Sequence, residues 1–393
     1  MLRPSETNCV GCEACINICP RGCILARTND HGFIVPVIDE SKCIGCGLCE
    51  KICPVINTSF SKKNYAEAVT AYAAHSRDDE IRYRSTSGGI FSEIAQHIIT
   101  NKGGFVAGAI YNNDLNIVHY LTNDIEDISQ LRQSKYVQSR KYGIYKQVKD
   151  ILNSNNMVLF AGCPCEVAAM SNFIGGPLTD NLVLVDFICL GANSPYAYNK
   201  YLEYLQDKYK SEITGVWFKN KEKTWNRFCT RVDFKNGKHY LKDRYSDLYM
   251  RCYIEKQLII RKSCESCHYK GIPHGSDLTM ADFWGVEKVV EGIDSTIGVS
   301  LVYANTEKGR ALIRQVEDKL YIHEVDLRHT YYNNPMVLSS VVIDSNADSF
   351  FKKLSGNSFK DAAYAFLPHG LLYDLKINLY AFKRHAFRKV RRK

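Results

Sequence analysis

The sequence predicts a chain that joins an α+β fold to an α/β fold. Three observations carry this: a cysteine pattern that occurs twice before residue 55, an alternation of strand-like and helical segments from about residue 64, and a basic amphipathic C-terminal end. They divide the chain into a small cysteine-rich domain (1–60), a larger mixed-sheet domain with helices (61–345) and a helical, basic tail (346–393).

The first element is the repeat. "CVGCEACINICP" (9–20) and "CIGCGLCEKICP" (43–54) are each Cys-x2-Cys-x2-Cys-x3-Cys-Pro, offset by 34 residues. Three closely spaced thiolates on a tight loop hold three corners of a 4Fe–4S cubane, and the fourth, ahead of its proline, reaches the other cluster. The spacing therefore predicts Cys9, Cys12, Cys15 and Cys53 on one cluster, and Cys43, Cys46, Cys49 and Cys19 on the other. Zinc held by four cysteines is the plain alternative, and two complete copies with both prolines argue against it. The segment between the copies has the length of a hairpin turning at "DHG" (30–32). Cys23 falls outside the pattern and reads as a buried spare thiol.

Composition narrows the function classes. The N-terminus carries no apolar export run, and no stretch reaches the length of a membrane-spanning helix, so the expectation is a cytoplasmic protein. Sixteen cysteines in that setting point to metal ligands rather than disulfides. The net charge of +9 hints at an anionic partner, but seven basic residues lie within 383–393, and without them the balance is +2. No zinc-finger, RNA-recognition or Walker pattern occurs, so nucleic acid is not expected as a partner.

In the second region, 67–75, 104–111, 156–162 and 181–188 read as strands, and 88–101 and 142–155 as helices. That alternation argues for α/β layers. "GVWFKN", "TRVDFKNGKHYL" and "VSLVYANT" add strands, with a hairpin turning at Asn236-Gly237.

Three short stretches carry more than scaffold. "STSGG" (85–89) leads small residues into a helix, a turn that suits a phosphate or a flavin edge but, taken alone, is more often an ordinary helix start. "LFAGCPCEVAAM" (159–170) and "VDFICLGANSP" (185–195) place Cys165 and Cys189 just past buried strands, where α/β sheets gather ligands. Cys264 and Cys267 in "CESC" form an isolated pair, and with Cys165 and Cys189 they make up four thiolates. His268, His274, Asp277 and Asp282 crowd the same stretch and read as supporting groups. "DFWG" (282–285) reads as an aromatic wall and a tight turn. No catalytic acid is identifiable.

The double cysteine run, "STSGG", "SKYVQS" (134–139), the Gly-x-Pro-Cys turn at 162–165, "VDFIC", "CESC…SDLTMADFWG", "NNP" (333–335) and "FFKKL" (350–354) occur in that order. In this the chain resembles the coenzyme F(420) hydrogenase/dehydrogenase beta-subunit family, in the branch with a fused N-terminal ferredoxin domain. The resemblance implies an FAD site beside a third 4Fe–4S cluster held by Cys165, Cys189, Cys264 and Cys267. It implies flavin contacts from Ser85, Ser87, Gly88, Gly89, Lys135, Tyr136 and Gly162. Cys163 departs from the family pattern and competes with Cys165 as the ligand; family position favours Cys165. The implied function is an iron–sulfur flavoprotein oxidoreductase that takes electrons from ferredoxin or a similar donor and reduces, or oxidises, a small organic substrate. A flavin is the expected converter between one-electron clusters and two-electron organic chemistry. The alternatives are a subunit relaying electrons to a separate catalytic partner, or a reductase of the deazaflavin F(420). Neither the substrate nor the oligomeric state is legible.

In the tail, Leu372, Leu375, Leu379, Phe382, Ala386 and Val390 recur at three- and four-residue steps with basic residues between. Docking on the protein's own body is the plain reading. Peripheral attachment to the inner face of an anionic membrane is the second.

Overall fold

The computed structural model describes residues 4–58 and 69–370, with Tyr373 and Ile377. In the N-terminal domain, strands β1 (Ile24–Thr28) and β2 (Ile34–Ile38) pair antiparallel from Ile24↔Ile38 to Thr28↔Ile34. The Asn29 side chain accepts the His31 and Phe33 amides, and Gly32 supplies the left-handed residue (φ +81°). Short helices at Ala14–Ile18 and Leu48–Lys51 carry Cys15 and Cys49.

Eight strands form the main sheet: β3 (Thr70–Ser76), β4 (Phe105–Tyr111), β5 (Ile117–Thr122), β6 (Val158–Ala161), β7 (Leu182–Phe187), β11 (Leu278–Asp282), β12 (Ser300–Ala304) and β13 (Leu320–Val325). Their order is β13-β3-β12-β11-β7-β6-β4-β5. The four neighbours β11, β7, β6 and β4 run parallel, and every other pairing is antiparallel. Strand β6 reads Val-Leu-Phe-Ala, an unbroken apolar run, because helices cover both faces of a parallel sheet. Ile144–Asn153 and Pro164–Ile174 pack on one face around Phe160, and Ile90–Lys102 packs on the other against Leu159 and Val183.

The sequence segments at 104–111, 156–162 and 181–188 fall on β4, β6 and β7, and the helical segments on Ile90–Lys102 and Ile144–Asn153. Both helices start two residues late because Gly89 and Gly143 sit at their N-termini in left-handed geometry, φ +91° and +74°. "GVWFKN" and "TRVDFKNGKHYL" do not join the main sheet. As β8 (Ile213–Asn220), β9 (Cys229–Phe234) and β10 (His239–Asp243) they form a separate antiparallel sheet over an aromatic core of Phe218, Tyr249 and Phe359. Gly237 (φ +78°) makes the β9–β10 turn.

The hairpin tip of the N-terminal domain meets the helix Pro195–Tyr209: a Cβ at Gly32 would lie 2.2 Å from Tyr196 Cβ. The amphipathic tail positions Leu372, Leu375, Leu379, Phe382, Ala386 and Val390 lie outside the described residues. Tyr373 is described, donating to Glu255 Oε2 at 3.1 Å under the Arg251 guanidinium. Among the described residues, no helix is long and apolar enough to cross a membrane.

Candidate functional site

Folding brings the N-terminal cysteines around two cavities. The larger, about 120 Å³, is lined by Cys9, Cys12, Cys15, Cys49 and Cys53. The smaller, about 20 Å³, is lined by Cys19, Cys23, Cys43, Cys46 and Cys49. The larger cavity thus takes three thiols from the first copy of the repeat and two from the second; the smaller takes three from the second and one from the first, with Cys23 beside them, and Cys49 lines both. Among the described residues no three such side chains close to the spacing of a single metal ion; the thiols surround the cavities instead.

The chemistry of the larger cavity fits an anionic cluster. Burial pushes the Cys12 thiol up, with Cys15 and Cys53 adding to it, and burial together with Cys9 and Cys53 raises Cys15 to about 12. Burial raises Cys53 as well. Such thiols become thiolates together only around a positive core. Backbone N–H groups of Ala14, Ile16, Val55 and Ile56 point at these sulfurs, and the Gly11 amide lies 3.4 Å from Cys9 Sγ. Donors of this kind tune iron–sulfur sites. Cys23 is buried, its sulfur 3.4 Å from Cys19 Sγ.

Five further cysteines converge inside the second domain. Cys163 and Cys165 follow the carboxyl end of β6, Cys189 follows the parallel β7, and Cys264 and Cys267 precede β11. The Cys163 thiol is hydrogen-bonded to Cys189, which raises Cys163 and lowers Cys189. Cys165 is pushed up first by burial, then by Glu166, Cys267, Cys189 and Cys264. Burial, with Cys189 beside it, takes Cys264 to about 12, and the Ala192 amide lies 3.5 Å from its sulfur. Both alternatives from the Cys-Pro-Cys turn therefore reach the group.

Tyr269 and Tyr145 lie between this group and the larger cavity. Tyr269 feels Cys165, Cys12, Cys267 and Cys53, and its hydroxyl donates to Pro54 O at 2.6 Å. Tyr145 donates to Cys12 O at 2.8 Å and feels Cys165. The three thiol groups thus follow one another from the exposed Cys46 inward.

The positions expected at a flavin are brought together in part. Thr86 Oγ1 lies 3.2 Å from Ser134 Oγ and accepts the Ser134 amide at 2.9 Å, joining "STSGG" to the segment holding Lys135 and Tyr136. The Ser85 and Ser87 hydroxyls turn inward, donating to Ile81 O and Val299 O at 2.7 Å. Gly88 packs against the sheet, where a Cβ would meet Ala74 O at 2.4 Å. Lys135 donates to the Gln130 and Arg132 carbonyls, and burial lowers it to about 7. Tyr136 holds a left-handed conformation (φ 33°), uncommon for a bulky residue; its carbonyl is fixed by Asn193 Nδ2 at 2.8 Å and Tyr249 Oη at 2.9 Å. Its ring lies 5.4 Å from Tyr253, which feels Cys189, Cys163 and Cys264. Gly162 stands apart from these, between β6 and β7, its amide on Val185 O at 3.1 Å.

The crowded polar residues have structural partners. His274 Nδ1 meets Asp186 Oδ2 at 2.9 Å, and Asp277 accepts the Leu184 amide at 2.8 Å. Asp282 pairs with Lys219 and accepts Trp225 Nε1 at 3.1 Å, while His268 is exposed. Trp284 stacks on Trp225 at 4.6 Å, and Gly285 turns at φ +83°.

Three features were not legible from the pattern. Lys141 and Glu166 form a buried ion pair; the Glu166 carboxylate also takes the Cys163 amide at 2.9 Å. A capping-box reading of Cys163-x-x-Glu166 would have found the second contact. Lys221 donates to the carbonyls of Arg82, Ser87 and Ile297 and so braces the "STSGG" turn. The Arg261 guanidinium, also buried, reaches the first cysteine loop; an isolated basic residue in "LIIRKSC" gives no such signal.

Residues 155–330 match the family model for the C terminus of the coenzyme F(420) hydrogenase/dehydrogenase beta subunit, and residues 8–57 match the 4Fe-4S dicluster domain. No curated protein matches the chain. A chain from a xenon-derivatised F(420)-reducing NiFe hydrogenase complex of Methanosarcina barkeri is similar at 15% identity and a TM-score of 0.47, over 75% of this chain and 96% of that one. The first match places residues 155–330 in the coenzyme F(420) hydrogenase/dehydrogenase beta-subunit family and the second makes residues 8–57 a 4Fe–4S dicluster domain, so the chain is an iron–sulfur electron-transfer protein related to that beta subunit.

Proposed function

We propose that the chain is an FAD-dependent oxidoreductase that exchanges electrons with ferredoxin or a similar donor and acts on a small organic substrate. The observation that carries this is the succession of three thiol groups, from exposed Cys46 to half-buried Cys165, ending beside the strained Tyr136. In this reading Cys9, Cys12, Cys15 and Cys53 hold one 4Fe–4S cluster and Cys19, Cys43, Cys46 and Cys49 a second. Cys165, Cys189, Cys264 and Cys267 hold a third.

Between the last two groups the chain supplies Tyr145 and Tyr269, both packed in apolar surroundings with Cys12, Cys165 and Cys267. That packing excludes water from the gap. On the far side, Tyr136 and Tyr253 face the inner thiols, and the Ser85–Gly89 turn is held against Ser134 by Thr86. The helix Ile90–Lys102 opens at that turn with the positive end of its dipole, which favours an anionic pyrophosphate. A flavin held there would couple one-electron exchange at the iron–sulfur sites to two-electron chemistry on the substrate.

The test is anaerobic purification followed by iron and flavin analysis. About twelve irons per chain with bound FAD are expected. Iron without flavin would sink the enzyme reading and leave a relay subunit.

A further inference from the structure

Among the described residues, Arg261 is a buried cation with no carboxylate partner. It is 3% exposed, yet its Nε donates to Cys9 O at 2.6 Å, Nη1 to Gln138 Oε1 at 3.1 Å and Nη2 to Ile34 O at 2.8 Å. All three acceptors are neutral. Other buried cations differ: Lys141 has Glu166 and Arg82 has Asp294, while Lys135 and Lys221, which also meet carbonyls, are ammoniums that burial lowers to about 7 and about 6, an escape that a guanidinium does not have. A buried charge is costly unless an opposite charge compensates it.

The surroundings name the compensating charge. On one side, a Cβ at Gly11 would lie 2.6 Å from Arg261 Nη1, so the guanidinium is pressed into the Cys9–Cys12 loop. On the other, Arg261 precedes the turn Lys262–Ser266, and the Cys264 amide donates to its carbonyl at 3.0 Å. Its own amide donates to Ala192 O at 2.9 Å, and the amide of that same Ala192 lies 3.5 Å from Cys264 Sγ. One guanidinium therefore stands between two thiol groups, each of which carries net negative charge with a 4Fe–4S core bound. Gln138 holds it there, its amide donating to Val10 O and Gly11 O.

We propose that Arg261 is the shared electrostatic partner of two iron–sulfur sites, the one at Cys9/Cys12/Cys15/Cys53 and the one at Cys165/Cys189/Cys264/Cys267, and that it raises the reduction potential of both. Reduction adds a negative charge, and a fixed buried cation stabilises the reduced form more than the oxidised one. Arg261 is a positioning residue: it touches loops and carbonyls, not the electron carriers themselves. The inference rests on the three-cluster reading above.

The experiment is a redox titration of anaerobically purified protein followed by electron paramagnetic resonance, comparing wild type with Arg261→Gln and Arg261→Lys. Arg261→Gln should lower the reduced-to-oxidised ratio of these two sites at a fixed potential by about tenfold, ~59 mV for a one-electron couple. The Cys19/Cys43/Cys46/Cys49 site should keep its midpoint, and Arg261→Lys should restore most of the shift. If Arg261→Gln retains no iron, Gln138→Glu carries the test, setting a carboxylate on the guanidinium and shifting the midpoints the same way. Unchanged midpoints with full iron content overturn the proposal. Iron analysis of wild type keeps the two readings apart: eight irons per chain would remove the third site, while the shift at the Cys9 site would still decide the role of Arg261.

Discussion

The two cysteine-bearing regions solve one problem in opposite ways. The N-terminal domain draws eight cysteines from two local loops, and its two cavities share a wall at Cys49. The inner group gathers cysteines from three places, two strand ends and a turn, separated by up to about a hundred residues. The first arrangement depends on spacing and two short helices. The second depends on a parallel sheet holding the ends of β6 and β7 side by side. A local site survives wherever its loop folds, whereas a dispersed one exists only when the whole domain is formed.

Loss of single thiols gives the largest effect. Cys267→Ala should remove about four of about twelve irons and leave the dicluster signals intact. Cys165→Ala should do the same, and Cys163→Ala should not. Iron analysis with electron paramagnetic resonance reads all three, and an unchanged iron count in Cys267→Ala disproves the inner site. If Cys163→Ala alone loses iron, the Cys-Pro-Cys turn presents its first thiol and not its second.

The contrast also explains what the sequence could and could not disclose. That thiols from both copies of the repeat gather around two adjoining cavities follows from spacing, because local loops fix local geometry. Cys165 and Cys189 were readable as strand-end cysteines, because β6 and β7 are apolar runs that only a parallel sheet would bury. Arg261, Lys141 and Lys221 gave no signal. Each reaches a carbonyl or carboxylate on a distant segment, and such partners are set by how the layers stack, not by periodicity. The segregation of β8–β10 into its own sheet was hidden for the same reason: pattern marks a strand but does not say which edge receives it.

The next largest effect is at the seam between the regions. Glu166→Ala leaves Lys141 buried without its carboxylate, which should cost about 3–5 kcal/mol in denaturant unfolding. Glu13 also touches this seam, accepting from Arg140 Nε at 2.9 Å, but Arg140 is 28% exposed and keeps access to water. Glu13→Ala should therefore cost clearly less. Equal costs would mean that burial does not distinguish the two pairs.

Within the second region, Lys221 gives a pH signature. Burial lowers its ammonium from 10.5 to about 6. Between those values the unfolded chain binds a proton that the folded chain does not, so this group makes stability rise with pH across that window. Below about 6 the penalty is constant. Lys221→Met should remove this component of the slope. It should also lower stability by about 1–3 kcal/mol, since buried carbonyls of Arg82, Ser87 and Ile297 lose their donor. A slope identical to wild type between pH 7 and 10 rejects the assignment.

The smallest effect separates docking from backbone strain. Gly32 and Gly237 both sit at hairpin turns with nearly equal φ, +81° and +78°. Alanine at either pays the same left-handed penalty, about 1–2 kcal/mol. At Gly237 the new methyl meets nothing within 4 Å, so Gly237→Ala should cost only that amount and leave iron content untouched. At Gly32 the methyl would strike Tyr196 Cβ at 2.2 Å, with the Tyr196 amide at 2.8 Å. The excess cost of Gly32→Ala over Gly237→Ala therefore measures how firmly the dicluster hairpin is seated on the helix Pro195–Tyr209. Were the two costs equal, the hairpin would not bear on that helix in solution, and the seam at Glu13 and Gln138 would have to hold the two regions together without it.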